Sequence, residues 1–135
     1  MIVLDASVLI AHLYANDAHH EHANQLLIDS ANHELLASQL TVAEVLVGPI
    51  KIGVLDRAQK LLRRLGVRTV GLPDDAHLHL AELRATTNLR LPDCCVLLAA
   101  ELETAALATF DERLGSVARE RGAVVRGLPG QFPER

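Results

Sequence analysis

Ile2-Val3-Leu4-Asp5-Ala6-Ser7 is the stretch that decides the fold. Three consecutive apolar residues, two of them β-branched, present no polar face to water, which is the pattern of a strand buried on both sides of a parallel sheet. The run stops on a carboxylate. Working outward, Leu35-Leu36-Ala37, Val67 to Leu72, Leu107 to Phe110 and Val124-Val125 read as four more short strands, the one from Leu107 to Phe110 ending on Asp111. Helical spacing fills the gaps, from Ser7 or Val8 to about Tyr14, His19 to Ala31, and Ser38 to Val47 with Gly48-Pro49 as the stop. It continues over Val54 to Leu65, where Leu55, Ala58, Leu61, Leu62 and Leu65 share a face, and from Pro73-Asp74-Asp75 to about Thr87. Two further helices are expected, Asp93 to about Glu103 behind Pro92, and Glu112 to Arg121 ahead of Gly122.

Strands alternating with helices predict an α/β protein, a three-layer α/β/α sandwich around a five-stranded, mainly parallel sheet. Residues 1–128 are expected to form one domain and 129–135, rich in Pro and Gly, a loose tail. Half of the residues are hydrophobic and mean hydropathy is +0.20. Apolar surface is therefore expected to remain for a partner or a second copy. No apolar run reaches the length of a membrane span, and Asp5 interrupts the one at the N-terminus, so a cytoplasmic protein without membrane contact is expected. Cys94 and Cys95 are adjacent, poorly placed to bridge each other or to build a zinc knuckle, and read as reduced core residues.

In parallel sheets of this kind ligands bind beyond the carboxyl ends of the strands, where Asp5 and Asp111 fall. Glu44 and Asp93 lie early in helices on the same expected edge. Each has a structural alternative. Asp5 and Asp111 can cap the following helices, Thr41-Val-Ala-Glu44 has capping-box spacing unless Ser38 is the cap, and Asp93 sits in a first turn that favours an anion. Gathered together, however, four carboxylates repel unless cations neutralise them, and their oxygens suit a hard ion such as Mg²⁺ or Mn²⁺. The net charge of −4 comes from 13 basic and 17 acidic side chains. Setting those four acids aside leaves the remaining charges balanced, so the acidic total does not exclude a polyanionic substrate.

Asp5-Ala-Ser7 after the first strand, Thr41-x-x-Glu44, Leu91-Pro-Asp93 opening a helix and Thr109-Phe-Asp111-x-x-Leu114 together resemble the PIN-domain signature. The similarity spans nearly the whole chain, whose size resembles the VapC-type toxins of type II toxin-antitoxin pairs. The resemblance implies a Mg²⁺- or Mn²⁺-dependent endoribonuclease, usually dimeric, held inactive by a cognate VapB-type antitoxin. The chain departs from some members in having Arg113 and Leu114 where a further acid can stand after the last Asp.

On this reading Asp5 and Asp93 bind metal directly, Glu44 and Asp111 are further ligands or hold water, and Ser7 and Thr109 orient water or phosphate. Arg90 and Arg113 are candidates for holding the RNA backbone. Three rivals remain. A metal-independent RNase would use two of the seven histidines, but His19, His20 and His22 read as a solvated cluster. Phosphotransfer through Asp5 or Asp93 lacks a second acid and a late lysine. A non-catalytic binding module on the same fold would not need all four acids. Aromatic residues make up 2% of the chain, so RNA recognition is expected to rely on shape and backbone.

Overall fold

The structure, a computed structural model, describes residues 1–129. In chain order it contains β1 (Ile2–Leu4), α1 (Ala6–Leu13), α2 (His20–Asp29), β2 (Leu35–Ser38), α3 (Gln39–Lys51) and α4 (Leu55–Leu65). There follow β3 (Arg68–Val70), α5 (Ala76–Thr87), α6 (Leu91–Glu103), β4 (Ala106–Ala108), α7 (Glu112–Glu120) and β5 (Val125–Arg126). All strand pairs are parallel and the sheet order is β3-β2-β1-β4-β5.

Side chains alternate across a strand, so each short apolar run feeds two cores at once. Ile2, Leu4, Leu35, Ala37 and Ala108 face one layer, built from Val8, Leu9, Ala23, Leu26, Leu27, Val45 and Leu62 of α1 to α4. Val3, Leu36, Val70, Leu107 and Val125 face the other, built from Leu83, Leu97, Leu98, Leu114 and Ala118 of α5 to α7. This is the expected α/β/α sandwich with a five-stranded sheet. Leu36, Leu97 and Leu107 are fully buried, and truncating any one to Ala costs roughly 2–5 kcal/mol in a close-packed interior. Cys94 and Cys95 are both buried and unbridged, Cys94 within the second core, and burial pushes both thiols above their usual pKa.

The strand order positions the site. From β1 the chain runs outward through β2 to β3, then returns to β4 on the opposite side of β1. Successive crossovers therefore part between β1 and β4, and in open parallel sheets the carboxyl ends of the strands at such a switch point are where a ligand crevice forms.

Several element ends shift by one or two residues from the sequence reading, and two of the differences have a clear physical cause. Helix α3 runs through Gly48 and Pro49 to Lys51, because both residues face protein: Pro49 is buried, and a Cβ on Gly48 would meet the Tyr14 hydroxyl at 2.5 Å. One amide lost near a helix end is a small cost beside that packing. Strand β4 stops at Ala108, so Asp111 lies beyond the strand end and is the N-cap of α7 instead. Among the described residues no helix is long and apolar enough to cross a membrane. The loose tail expected over 129–135 lies, beyond Pro129, outside the described residues.

Candidate active site

Asp5 leaves β1 directly into the crevice, its N–H donating to the carbonyl of Ala108 at 2.9 Å. Its carboxylate makes no cap to α1. Instead Oδ2 accepts the hydroxyl protons of Ser7 and Thr109, each at 2.8 Å. These bonds fix the plane of a side chain that is only 7% exposed, and Oδ1 is left without a hydrogen bond among the described residues. The same hydroxyls organise the chain after β4. Ser7 Oγ accepts from the N–H of Phe110 at 3.1 Å, and Thr109 Oγ1 accepts from the N–H of Asp111 at 2.9 Å.

Asp111 caps α7 through one oxygen only. Its Oδ1 accepts from the amides of Arg113 (2.9 Å) and Leu114 (3.2 Å), satisfying first-turn donors. Ser38, not Thr41, caps α3, its Oγ accepting from Leu40 N–H at 3.1 Å. The capping-box alternative for Glu44 is therefore not realised. Glu44 occupies the second turn, half-buried, with no hydrogen bond or ion pair among the described residues. Asp93, in the first turn of α6 and 8% exposed, has Arg90 Nε at 3.6 Å from its Oδ2.

Electrostatics ties the four acids together. Burial, then the Asp5 charge, raises the Glu44 carboxyl above its ordinary pKa; Asp93 pushes the same way, and Arg90 opposes. Asp93 is likewise raised, first by burial, against the pull of Arg90, with Asp5 and Asp111 adding repulsion. Anions that disfavour one another inside a crevice are an invitation to a cation.

The donor set fits a hard divalent ion. Asp5, Asp93 and Asp111 each commit one carboxylate oxygen to the protein and keep the other available, while Glu44 keeps both. Among the described residues no three His, Cys, Asp or Glu side chains stand close enough together, as placed, to hold a metal ion. An open, all-oxygen arrangement that leaves room for waters is the kind Mg²⁺ tolerates well. Ser7 and Thr109 stand in this group through Asp5. Arg90 sits at the edge, its side chain 74% exposed. Arg113 turns to donate to the carbonyl of Asn88 at 3.1 Å, holding α7 to the segment before α6. What the sequence reading missed is Phe110, which sits between two site residues and carries His19 and His22 against its ring; its place within Thr109-Phe-Asp111 was the available signal.

Comparisons with known proteins agree with this architecture. The toxin-antitoxin complex from Klebsiella pneumoniae contains a chain of similar fold, 21% identical, with a TM-score of 0.73 over 99% of this chain and 100% of that one. The sarcin-ricin loop cleaving toxin VapC20 of Mycobacterium tuberculosis is 16% identical, with a TM-score of 0.72 over 87% and 95% of the two chains. VapBC2 from Rickettsia felis, bound to a promoter DNA fragment, gives 16% identity and a TM-score of 0.70 over 93% and 98%. At these identities the likeness is one of fold. No curated protein resembles the chain closely enough to count as a relative. The sequence model of the PIN domain matches residues 2–120, and the chain belongs to the PIN-domain family.

Proposed function

We propose that the chain is a metal-dependent endoribonuclease toxin of the VapC type, which hydrolyses RNA phosphodiester bonds and is neutralised by a cognate VapB-type antitoxin in the cytoplasm. The observation that carries this reading is the set of unused carboxylate oxygens on Asp5, Glu44, Asp93 and Asp111 around the β1/β4 crevice. Mg²⁺ or Mn²⁺ held there would supply an activated water and neutralise charge developing on the phosphoryl group. Asp5 and Asp93, the two most buried of the four, hold the metal directly. Glu44 and Asp111 complete its surroundings or position water. Ser7 and Thr109 act through Asp5, holding Oδ1 toward the crevice. Arg90, exposed beside Asp93, offers its remaining donors to an incoming phosphate.

Partner binding has its own support. Leu40, Val47 and Ile50 recur at helical spacing along α3, all exposed, with exposed Ile52 beyond them. A stripe of this kind suits a second copy of the chain or an apolar antitoxin segment. Toxin-antitoxin complexes among the proteins of similar fold add to this reading.

The test is RNA cleavage by purified protein carrying Asp5→Asn or Asp93→Asn, with and without EDTA. Both variants should fold and fail to cut, and wild-type products should carry 5′-phosphates that disappear with chelation. Full activity in either variant, or in excess EDTA, would overturn the proposal.

A further inference from the structure

Phe110 projects away from the acids toward α2. Phe110 lies at a bend between Thr109 and Asp111, where the chain leaves β4, and its side chain packs against the surface adjoining the site. Its ring packs on the core that contains Leu26, and there it is covered by two imidazoles. His19 stacks on it at 4.9 Å between centroids and 25° between planes, and His22 lies at 4.7 Å and 32°. The two histidines are 6.4 Å apart, too close to occupy opposite faces of Phe110. Both are exposed. The two imidazole planes are inclined at 55° to each other, so they form a stepped outward aromatic surface, backed by Phe110 and joined to the acidic site by the Phe110 N–H bond to Ser7 Oγ.

Beside His22 the surface sinks into a cleft of about 270 Å³ lined also by Gln25, Asp29 and Arg126. Its volume sits just under the range of roughly 300–1,000 Å³ typical of small-ligand sites, which suits a single flat heterocycle. The rim carries both acceptors and donors. Gln25 Nε2 donates to Asp29 Oδ1 at 2.8 Å, leaving the amide oxygen free to accept. Arg126 also lines the cleft and brings a guanidinium charge to it.

We propose that His22, backed by Phe110 and flanked by His19, forms a stacking platform for one unpaired RNA base next to the scissile phosphate, with Arg126 and Gln25 meeting the edge of that base in the adjoining cleft. Imidazole faces stack on any base, and the cleft supplies the directional groups that discriminate among them. This subsite would give the nuclease a local base preference that its low aromatic content does not lead one to expect. It rests on the ribonuclease reading, because it receives the nucleotide that the acidic site positions.

The chain lacks Trp, so a 2-aminopurine base can be followed without interference. The probe is a single-stranded oligouridylate carrying one 2-aminopurine, titrated with full-length protein in an Asp5→Asn background that does not cut it. Binding should quench the probe, and adding His19→Ala or His22→Ala should weaken affinity about 5- to 150-fold, the range corresponding to ~1–3 kcal/mol of stacking per base. His22→Tyr should restore both quenching and affinity, whereas His22→Lys should restore neither. Unchanged affinity in the alanine variants, or rescue by Lys equal to that by Tyr, overturns the platform while wild-type, EDTA-sensitive cleavage leaves the ribonuclease reading standing. Absence of cleavage in the wild type overturns both. Phe110 is left intact because its ring supports the core.

Discussion

Asp5 and Thr109, 104 positions apart, share a hydrogen bond of 2.8 Å in which the threonine hydroxyl donates to Oδ2 of the carboxylate. The same hydroxyl accepts the N–H of Asp111. One oxygen thus joins the end of β1 to the start of α7 and, by holding Oδ2, fixes the plane of the Asp5 carboxylate and leaves Oδ1 without a hydrogen bond among the described residues.

Thr109→Val keeps the shape and removes both bonds. Thr109 is fully buried, so the Asp111 amide is left without its partner, and stability should fall by about 1–3 kcal/mol. Cleavage should fall by roughly 10- to 100-fold, as for loss of a group that orients a metal ligand. Thr109→Ser should restore most of both. If Thr109→Val cleaves RNA like wild type, the orientation of Asp5 does not matter for the reaction.

Glu44 gives an opposite pairing of stability and activity. Its charged form is disfavoured by burial and by Asp5 and Asp93, and no hydrogen bond holds it in place. Glu44→Gln should therefore raise the melting temperature in EDTA at neutral pH, by roughly 1–3 °C for a domain of this size, while sharply reducing cleavage. A lower melting temperature in the variant would show that Glu44 serves the fold instead.

How much of this was legible in the sequence depends on what each residue signals locally. Ile2-Val3-Leu4 and its counterparts revealed the sheet because a run without a polar face has few other places to go. The acids were legible because their spacing relative to strands and helix starts is local. The Gly48-Pro49 stop failed because the packing that overrides it, Tyr14 against Gly48, comes from a different helix. Asp111 was placed at a strand end since Thr109 and Phe110 are good strand residues; Thr109 instead spends its hydroxyl on Asp5, and the chain leaves the sheet. The His19-Phe110 contact joins residues far apart in sequence, and no composition or period encodes it.

Metal and proton should compete for the same oxygens. Glu44 and Asp93 both have raised pKa values. The contribution of such groups to the stability of the metal-free fold is therefore fully present below their ordinary values of 4.5 and 3.8, and is lost as pH rises through the higher folded-state values. Mg²⁺ needs the ionised forms. The stabilisation it provides should be largest at neutral pH, about 2.7 kcal/mol at a hundredfold excess over Kd, and should vanish on acidification through those raised values. Thermal melts with Mg²⁺ and with EDTA across pH isolate this difference from other titrations; a gain independent of pH would place the ion away from these carboxylates.

Gly127 and Gly122 separate strain from position. Both have positive φ, 103° and 94°, where any other residue is strained by roughly 1–3 kcal/mol. A Cβ on Gly122 meets nothing within 4 Å, whereas one on Gly127 would lie 2.6 Å from the carbonyl oxygen of Thr109 and 3.3 Å from the Phe110 ring. Gly122→Ala should thus lower the melting temperature by several degrees and leave cleavage near wild type. Gly127→Ala should lower it at least as far and also displace the Thr109-Asp111 segment, so that cleavage falls by tenfold or more even at temperatures where the variant is fully folded. Matched losses of activity in the two variants would mean that the fold tolerates movement of Thr109, and that Asp5 is oriented by Ser7 alone.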